Sequence, residues 1–255
     1  MSTQIIKFQE VTSTNDLMMS HTLPANGDIV VATAACQTKG RGQGANRWES
    51  EHGKNLLMSI LTSPVQVAAS EQYVLSMAGA LALKRALDSL CADCGNADKA
   101  LFSLKWPNDI YWNDLKISGT LIETSVCGKT LQRCVFGIGL NVNQRTFTGG
   151  APNPVSLCTI LGRDIDTDSV MHRVLKEFTQ LYHSVIGGER TAIVNAYNEA
   201  LYRRRGVHAY RLNATGDTFN AAIVGVGLDG LLRLRKDSGE QEAFALKEIS
   251  FLPPQ

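Results

Sequence analysis

The chain reads as an α+β protein: a mostly antiparallel mixed sheet with helices packed against it, followed by a small all-β unit. Two observations predict this. Between residues 101 and 143 the extended segments "LFSLKW", "DIYWND", "LKISGTLIETSV" and "RCVFGIGLNVN" are separated by tight turns rather than by helices, which argues for antiparallel pairing instead of a doubly wound parallel sheet. After about residue 206 the pattern changes to short alternating strands. The boundaries expected are 1–204 for the main domain and 205–255 for the C-terminal one.

In chain order, "TSTNDLMMSH" places the cap residues Ser13, Thr14 and Asn15 directly before apolar positions, so a helix starts there. "DIVVATAAC" is a buried strand, and "NLLMSILTS" is a second strand after an intervening loop. Residues 70–92 carry apolar side chains at helical spacing without a proline. Residues 144–156 are polar and rich in glycine and proline, which predicts a long loop of the kind that often has a function. Helices are expected near 168–186 and 190–204. "VHAYRL", "TFNAAIVGVG", "LLRLRK" and "EAFALKEISFL" are the expected C-terminal strands.

At 255 residues and net charge +1, the chain has no bulk affinity for nucleic acid or a membrane surface. The N-terminus "MSTQIIKFQE" is not a signal peptide, and no apolar run is long enough to span a bilayer. A cytoplasmic location with reduced thiols is the expectation for the six cysteines. "CADC" at 91–94 lacks the second ligand pair that a zinc site needs, so its cysteines read as ordinary helix-end residues. "GVGLDG" at 225–230 matches G-x-G-x-x-G by letter, but "LLRLR" follows it and alternates like a strand. A hairpin turn with Gly230 at positive φ is the better reading.

The loop "TKGRGQGANRWES" at 38–50 sets Arg41 and Arg47 on a backbone loosened by glycines and ends in Trp48. It fails the phosphate-loop spacing, and no helix follows it. Anion binding there would come from the arginines and exposed N–H groups. A tryptophan on a cationic loop suits a ligand that is apolar at one end and anionic at the other.

Five segments occur in order: "STN" at 13–15, "QTKGRGQGANRW" at 37–48, "KWPND" at 105–109, "KISGTLIE" at 116–123 and "GIGLNVN" at 137–143. Together they resemble the biotin protein ligases. The resemblance implies a catalytic domain akin to class II aminoacyl-tRNA synthetases and a C-terminal Src homology 3-like barrel. It also implies two half-reactions: biotin and ATP, with Mg²⁺, give biotinyl-5′-adenylate, and a lysine of a biotin carrier domain of acetyl-CoA carboxylase or a related carboxylase then attacks it. By the same resemblance Lys116 is the central cation, Arg41 holds phosphates and orders the loop, Lys105 is a second cation, and Asp109 is the hypothetical proton acceptor for the transfer. Ser13, Thr14, Asn15, Gln37, Gly40, Arg41, Gly42, Trp48, Lys116 and Gly119 match biotin-binding positions. Arg41, Trp48, Lys105, Asn108, Lys116, Asn141 and Asn143 match ATP or adenylate positions, with Asn141 at the adenine and the 144–156 loop as cover. Metal ligands are left open.

The sequence departs from the family where Gln43, Gly44, Ala45 and Asn46 replace most of a longer arginine set, and where Phe251 and Leu252 stand in place of a basic residue. The chain reaches "TSTND" by residue 12, so no N-terminal DNA-binding domain and no DNA partner are expected. A homodimer is compatible with the fold. A lipoate protein ligase of the same fold and a non-catalytic biotin- or nucleotide-binding module are the competing readings; the paired Lys116 and Arg41 weigh against the second.

Overall fold

The structure is a computed structural model that describes residues 2–44, 46–96, 98, 101–149 and 153–253. A seven-stranded sheet in the order β1-β2-β3-β7-β6-β5-β4 forms the main body. β2 (Ile29–Gln37) and β3 (Leu56–Thr62) pair antiparallel across the 38–55 connection. β4 (Phe102–Lys105), β5 (Asp109–Trp112), β6 (Leu115–Cys127) and β7 (Thr130–Leu140) run as an antiparallel meander, and β7 returns to β3. The short turns in the sequence thus produce the expected mostly antiparallel sheet. Every residue of β3 is buried, as suits a strand covered on both faces.

β1 (Thr3–Val11) is an addition to the sequence reading. It pairs parallel with β2 at the sheet edge. Its residues are exposed or half-buried throughout, so it lacks the buried apolar alternation that marks the other strands.

One face of the sheet carries α2 (Tyr73–Asp93), α4 (Thr167–Ile186) and α5 (Arg190–Glu199). α2 is apolar nearly all round because it lies between the sheet, α4 and α5. Cys91 is buried near its end and Cys94 is its C-cap, as ordinary helix-end residues would be. The other face carries α1 (Thr14–Ser20), with Met18 packed on Val30, Ala32, Leu61 and Val135. The five-residue α3 (Leu157–Leu161), closed by Gly162 at φ 74°, follows the 144–156 loop. It is too short to show a periodicity in the sequence.

The C-terminal strands β8 (His208–Leu212), β9 (Thr218–Val226), β10 (Leu232–Lys236), β11 (Gln241–Phe244) and β12 (Ile249–Phe251) form a second sheet in the order β11-β10-β9-β8-β12. "EAFALKEISFL", expected as one strand, is two: a turn with Lys247 at φ 72° separates β11 from β12 and sends them to opposite edges. The expected barrel is therefore an open five-stranded sheet among the described residues, with β11 and β12 unpaired with each other. "GVGLDG" is a hairpin connection, with Gly230 at φ 78° and its N–H bonded to Gly227 O, as expected. One hydrophobic cluster runs through both sheets, from Trp106 and Leu201 to Tyr210, Leu232 and Leu234. Among the described residues no helix is long and apolar enough to cross a membrane.

Candidate active site

The site is built on absent side chains. Gly119 of β6 and Gly137 and Gly139 of β7 lie together on the α1 face of the sheet. A Cβ on Gly139 would sit 2.3 Å from Trp48 Cε2, and one on Gly119 would sit 3.2 Å from Trp48 Cζ3. The indole therefore lies against a floor that only glycine leaves open. A Cβ on Gly137 would meet Asn15 Oδ1 at 2.1 Å, so the floor continues beneath Asn15.

Trp48 is brought there by the glycine- and arginine-rich loop, which folds back on itself. Gly42 N donates to Asn46 O (2.8 Å), Trp48 N donates to Gly40 O (3.1 Å), and Arg41 and Arg47 form an isolated bridge. Gly44, at the tip, comes close to the Lys247 ammonium of the C-terminal sheet: a Cβ there would lie 2.9 Å from it. Ala45, within the Gln43–Asn46 departure, and residues 150–152 of the expected cover loop lie outside the described residues.

A polar network holds one side of the cavity, although Thr120 Oγ1 and Trp48 Nε1 on its wall are buried without a hydrogen-bond partner among the described residues. Ser13 Oγ caps α1 at Asp16 N. Thr14 donates from both N and Oγ1 to Gln37 Oε1 (2.7 and 3.0 Å). Ser59 Oγ lies 2.7 Å from Thr14 Oγ1 and 2.6 Å from Asn15 Oδ1, and Asn15 Nδ2 donates to Glu123 Oε2 (2.8 Å). This network fixes donors and acceptors before any ligand arrives.

The cavity also holds two charged groups, Arg41 beside this network and Lys116 on β6. Arg41 Nη2 bridges Asp16 Oδ1 and Glu123 Oε2, each at 2.7 Å. Lys116 Nζ lies 2.6 Å from Asp109 Oδ2. The Lys116 backbone is held in turn by Asn153 O and Val155 N, each at 2.9 Å. Arg41, Asp109 and Lys116 line a cavity of about 200 Å³ with Gln37, Gln43, Asn46, Arg47 and Asn108. All three ion pairs are partly open to water, so an anionic ligand can take over either cation at modest cost.

The profile of the biotin/lipoate A/B protein ligase family matches residues 5–141, more than half of the chain. The chain belongs to this family. It is 30% identical over 209 residues to the biotin–[acetyl-CoA-carboxylase] ligase of Paracoccus denitrificans, covering 80% of this chain and 83% of that one. It is 27% identical over 250 residues to the bifunctional ligase/repressor BirA of Bacillus spizizenii, covering 95% of this chain and 73% of the relative. The biotin protein ligase of Aquifex aeolicus, solved with biotin and ATP, has the same fold: TM-score 0.77 at 24% identity, over 98% of this chain and 99% of that one.

Of the residues singled out in the ligase sequence, Ser13, Thr14, Asn15, Gln37, Arg41, Gly42, Trp48, Asn108, Asp109, Lys116 and Gly119 line the one cavity. Gly40 lies just beneath, where a Cβ would strike Trp48 O at 2.5 Å. Lys105, Asn141 and Asn143 are not among the lining residues. Lys105 Nζ donates to Tyr111 OH (2.9 Å) and stands 5.5 Å from the Phe251 ring centroid. Burial lowers its pKa, against a smaller opposing pull from Asp109. Asn141 Nδ2 donates to Val155 O (3.0 Å), while Asn143 exchanges two bonds of 2.8 Å with the Ile165 backbone. Both asparagines secure the segment after β7.

Ser59, Asp16 and Glu123 hold lining residues in place, and the sequence reading did not single them out. Ser59 had a signal, a hydroxyl inside the otherwise apolar "LLMSILT". Asp16 and Glu123 fall inside the quoted segments "TSTND" and "KISGTLIE", but their pairing to Arg41 depends on the fold of the loop. Among the described residues no three His, Cys, Asp or Glu side chains gather as a metal site.

Proposed function

We propose that this ligase joins biotin to a lysine of a biotin carrier domain, of acetyl-CoA carboxylase or a related enzyme, through biotinyl-5′-adenylate. The observation that carries the reading is the make-up of the cavity: an amide-and-hydroxyl network with Arg41 beside it, an indole on a glycine floor, and a second cation, Lys116, next to that indole at Gly119. Biotin offers matching groups: a compact ureido ring, an apolar body and a carboxylate. The family match and the relative named for biotin ligation support it.

In the first half-reaction the biotin carboxylate oxygen attacks the α-phosphorus of ATP, and the bond to the β-phosphate oxygen breaks to release pyrophosphate. No proton need be removed from an ionised carboxylate, so the step calls for cations near both anions. Lys116 and Arg41 serve that role by exchanging Asp109, Asp16 and Glu123 for ligand oxygens. Magnesium bound to the ATP phosphates would supply further counter-charge there. In the second half-reaction the acceptor amine attacks the acyl carbon, AMP leaves, and the amine gives up a proton. A free lysine is mostly protonated near neutrality. Asp109 is the carboxylate at hand to accept or orient that proton.

The test is intact-mass analysis of an apo carrier domain incubated with the ligase, biotin and MgATP. A gain of one biotin is expected, abolished by Lys116→Ala. Pyrophosphate exchange stimulated by lipoate and not by biotin would move the assignment to lipoate ligation. Ligand binding without any exchange would leave a binding module.

A further inference from the structure

The turn that carries Asn108 and Asp109 is held from behind by three separate parts of the chain. Pro107 O accepts hydrogen bonds from Tyr197 OH of α5 (2.7 Å) and Tyr73 OH of α2 (3.0 Å). A carbonyl has two lone pairs, and here both are used. The two rings meet edge-on, with centroids 6.4 Å apart. Next door, Trp106 Nε1 donates to Gly230 O (3.0 Å), at the β9–β10 hairpin.

Gly230 itself presses on the Tyr73 ring: a Cβ there would lie 2.6 Å from Tyr73 Cδ2. Asn198 of α5 closes the assembly by accepting from Val226 N (2.7 Å) and donating to Val226 O (3.0 Å). Burial raises the pKa of both tyrosines, so each remains a protonated donor at neutral pH. None of these groups is among the residues lining the cavity except Pro107.

Asp109 is the first residue of β5, directly beyond this turn and paired in register with Lys105. Its carboxylate is 2.6 Å from Lys116 Nζ. A tilt of the turn would swing that carboxylate, and errors of about 1 Å at a reacting group can cost on the order of a hundredfold in rate. We propose that Tyr73, Tyr197 and Gly230 are positioning residues that hold the turn bearing Asp109, so that the "GVGLDG" hairpin of the C-terminal sheet acts as a brace that keeps the Asp109 carboxylate in the cavity for the transfer step. The proposal rests on the ligase reading above for its rate effect, and on the geometry alone for the brace.

Tyr197→Phe and Tyr73→Phe keep both rings and remove only the hydroxyls. Each is to be made in the parent and in Asp109→Asn. Single-turnover transfer from preformed adenylate to the carrier domain should slow by about tenfold in Tyr197→Phe, with KM for biotin held within about twofold. In the Asp109→Asn background the same change should cost nothing further. Amide exchange over residues 106–110 should quicken while that of α4 stays put. An equal loss in the Asp109→Asn background, or unaltered exchange over 106–110, would overturn the brace. If the parent enzyme transfers no biotin, the functional reading falls by itself, and the exchange measurement alone decides the brace.

Discussion

At the scale of single residues, the site depends on what three glycines omit. Gly139→Ala places a methyl group 2.3 Å from Trp48 Cε2, with sheet backbone behind it, so the indole must leave its floor. The expected outcome is a folded protein whose biotin affinity, measured by calorimetric titration, falls by at least about tenfold, or about 1.4 kcal/mol. An affinity equal to that of the parent would mean that Trp48 is not part of the biotin pocket. The sequence made the cationic residues legible: the two it marked as central, Arg41 and Lys116, do lie in the cavity. It did not make legible that each already has carboxylate partners, because Asp16 and Glu123 reach Arg41 from α1 and β6, and only the folded loop joins them. Lys105, marked in "KWPND", lies outside the cavity lining, where its ammonium bonds the Tyr111 hydroxyl and faces the Phe251 ring.

At the scale of elements, the two loops around the site are tied to each other. Asn55, buried just before β3, donates to Ser50 Oγ (3.0 Å) and Gln144 Oε1 (2.6 Å) and accepts from Val142 N (3.0 Å). Thr148 Oγ1 donates to Glu49 Oε1 (2.8 Å), which links the 144–149 stretch to the residue after Trp48. Asn55→Ala leaves Val142 N without its buried partner, while Gln144 Oε1 keeps Glu51 N, and should cost about 2 kcal/mol in urea unfolding. A loss below about 0.5 kcal/mol would show that the staple is replaceable. The strands and long helices were legible because apolar spacing and turn residues agree over many positions. β1 escaped because an exposed edge strand has little burial to pattern, and α3 because five residues hold too few turns. β11 and β12 merged in the sequence because Lys247 takes a positive φ that no glycine announces.

At the scale of the molecule, the two sheets share one core. Trp106 and Leu201 belong to the same cluster as Tyr210, Leu232 and Leu234, and Arg203 Nη1 donates to Leu252 O (2.6 Å) at the seam. A composition shift near residue 205 reads as a domain boundary, but shared packing argues that both parts melt together. Scanning calorimetry of the ligand-free chain should show one transition with equal calorimetric and van't Hoff enthalpies. Two resolved transitions would establish independent units. The glycine floor, finally, limits how such a molecule can change its diet. A pocket walled by bulky side chains widens when they are trimmed, but no amino acid is smaller than glycine. Any shift toward a wider vitamin analogue must therefore come from above the floor, at Trp48 or Asn15, and never from the strands beneath them.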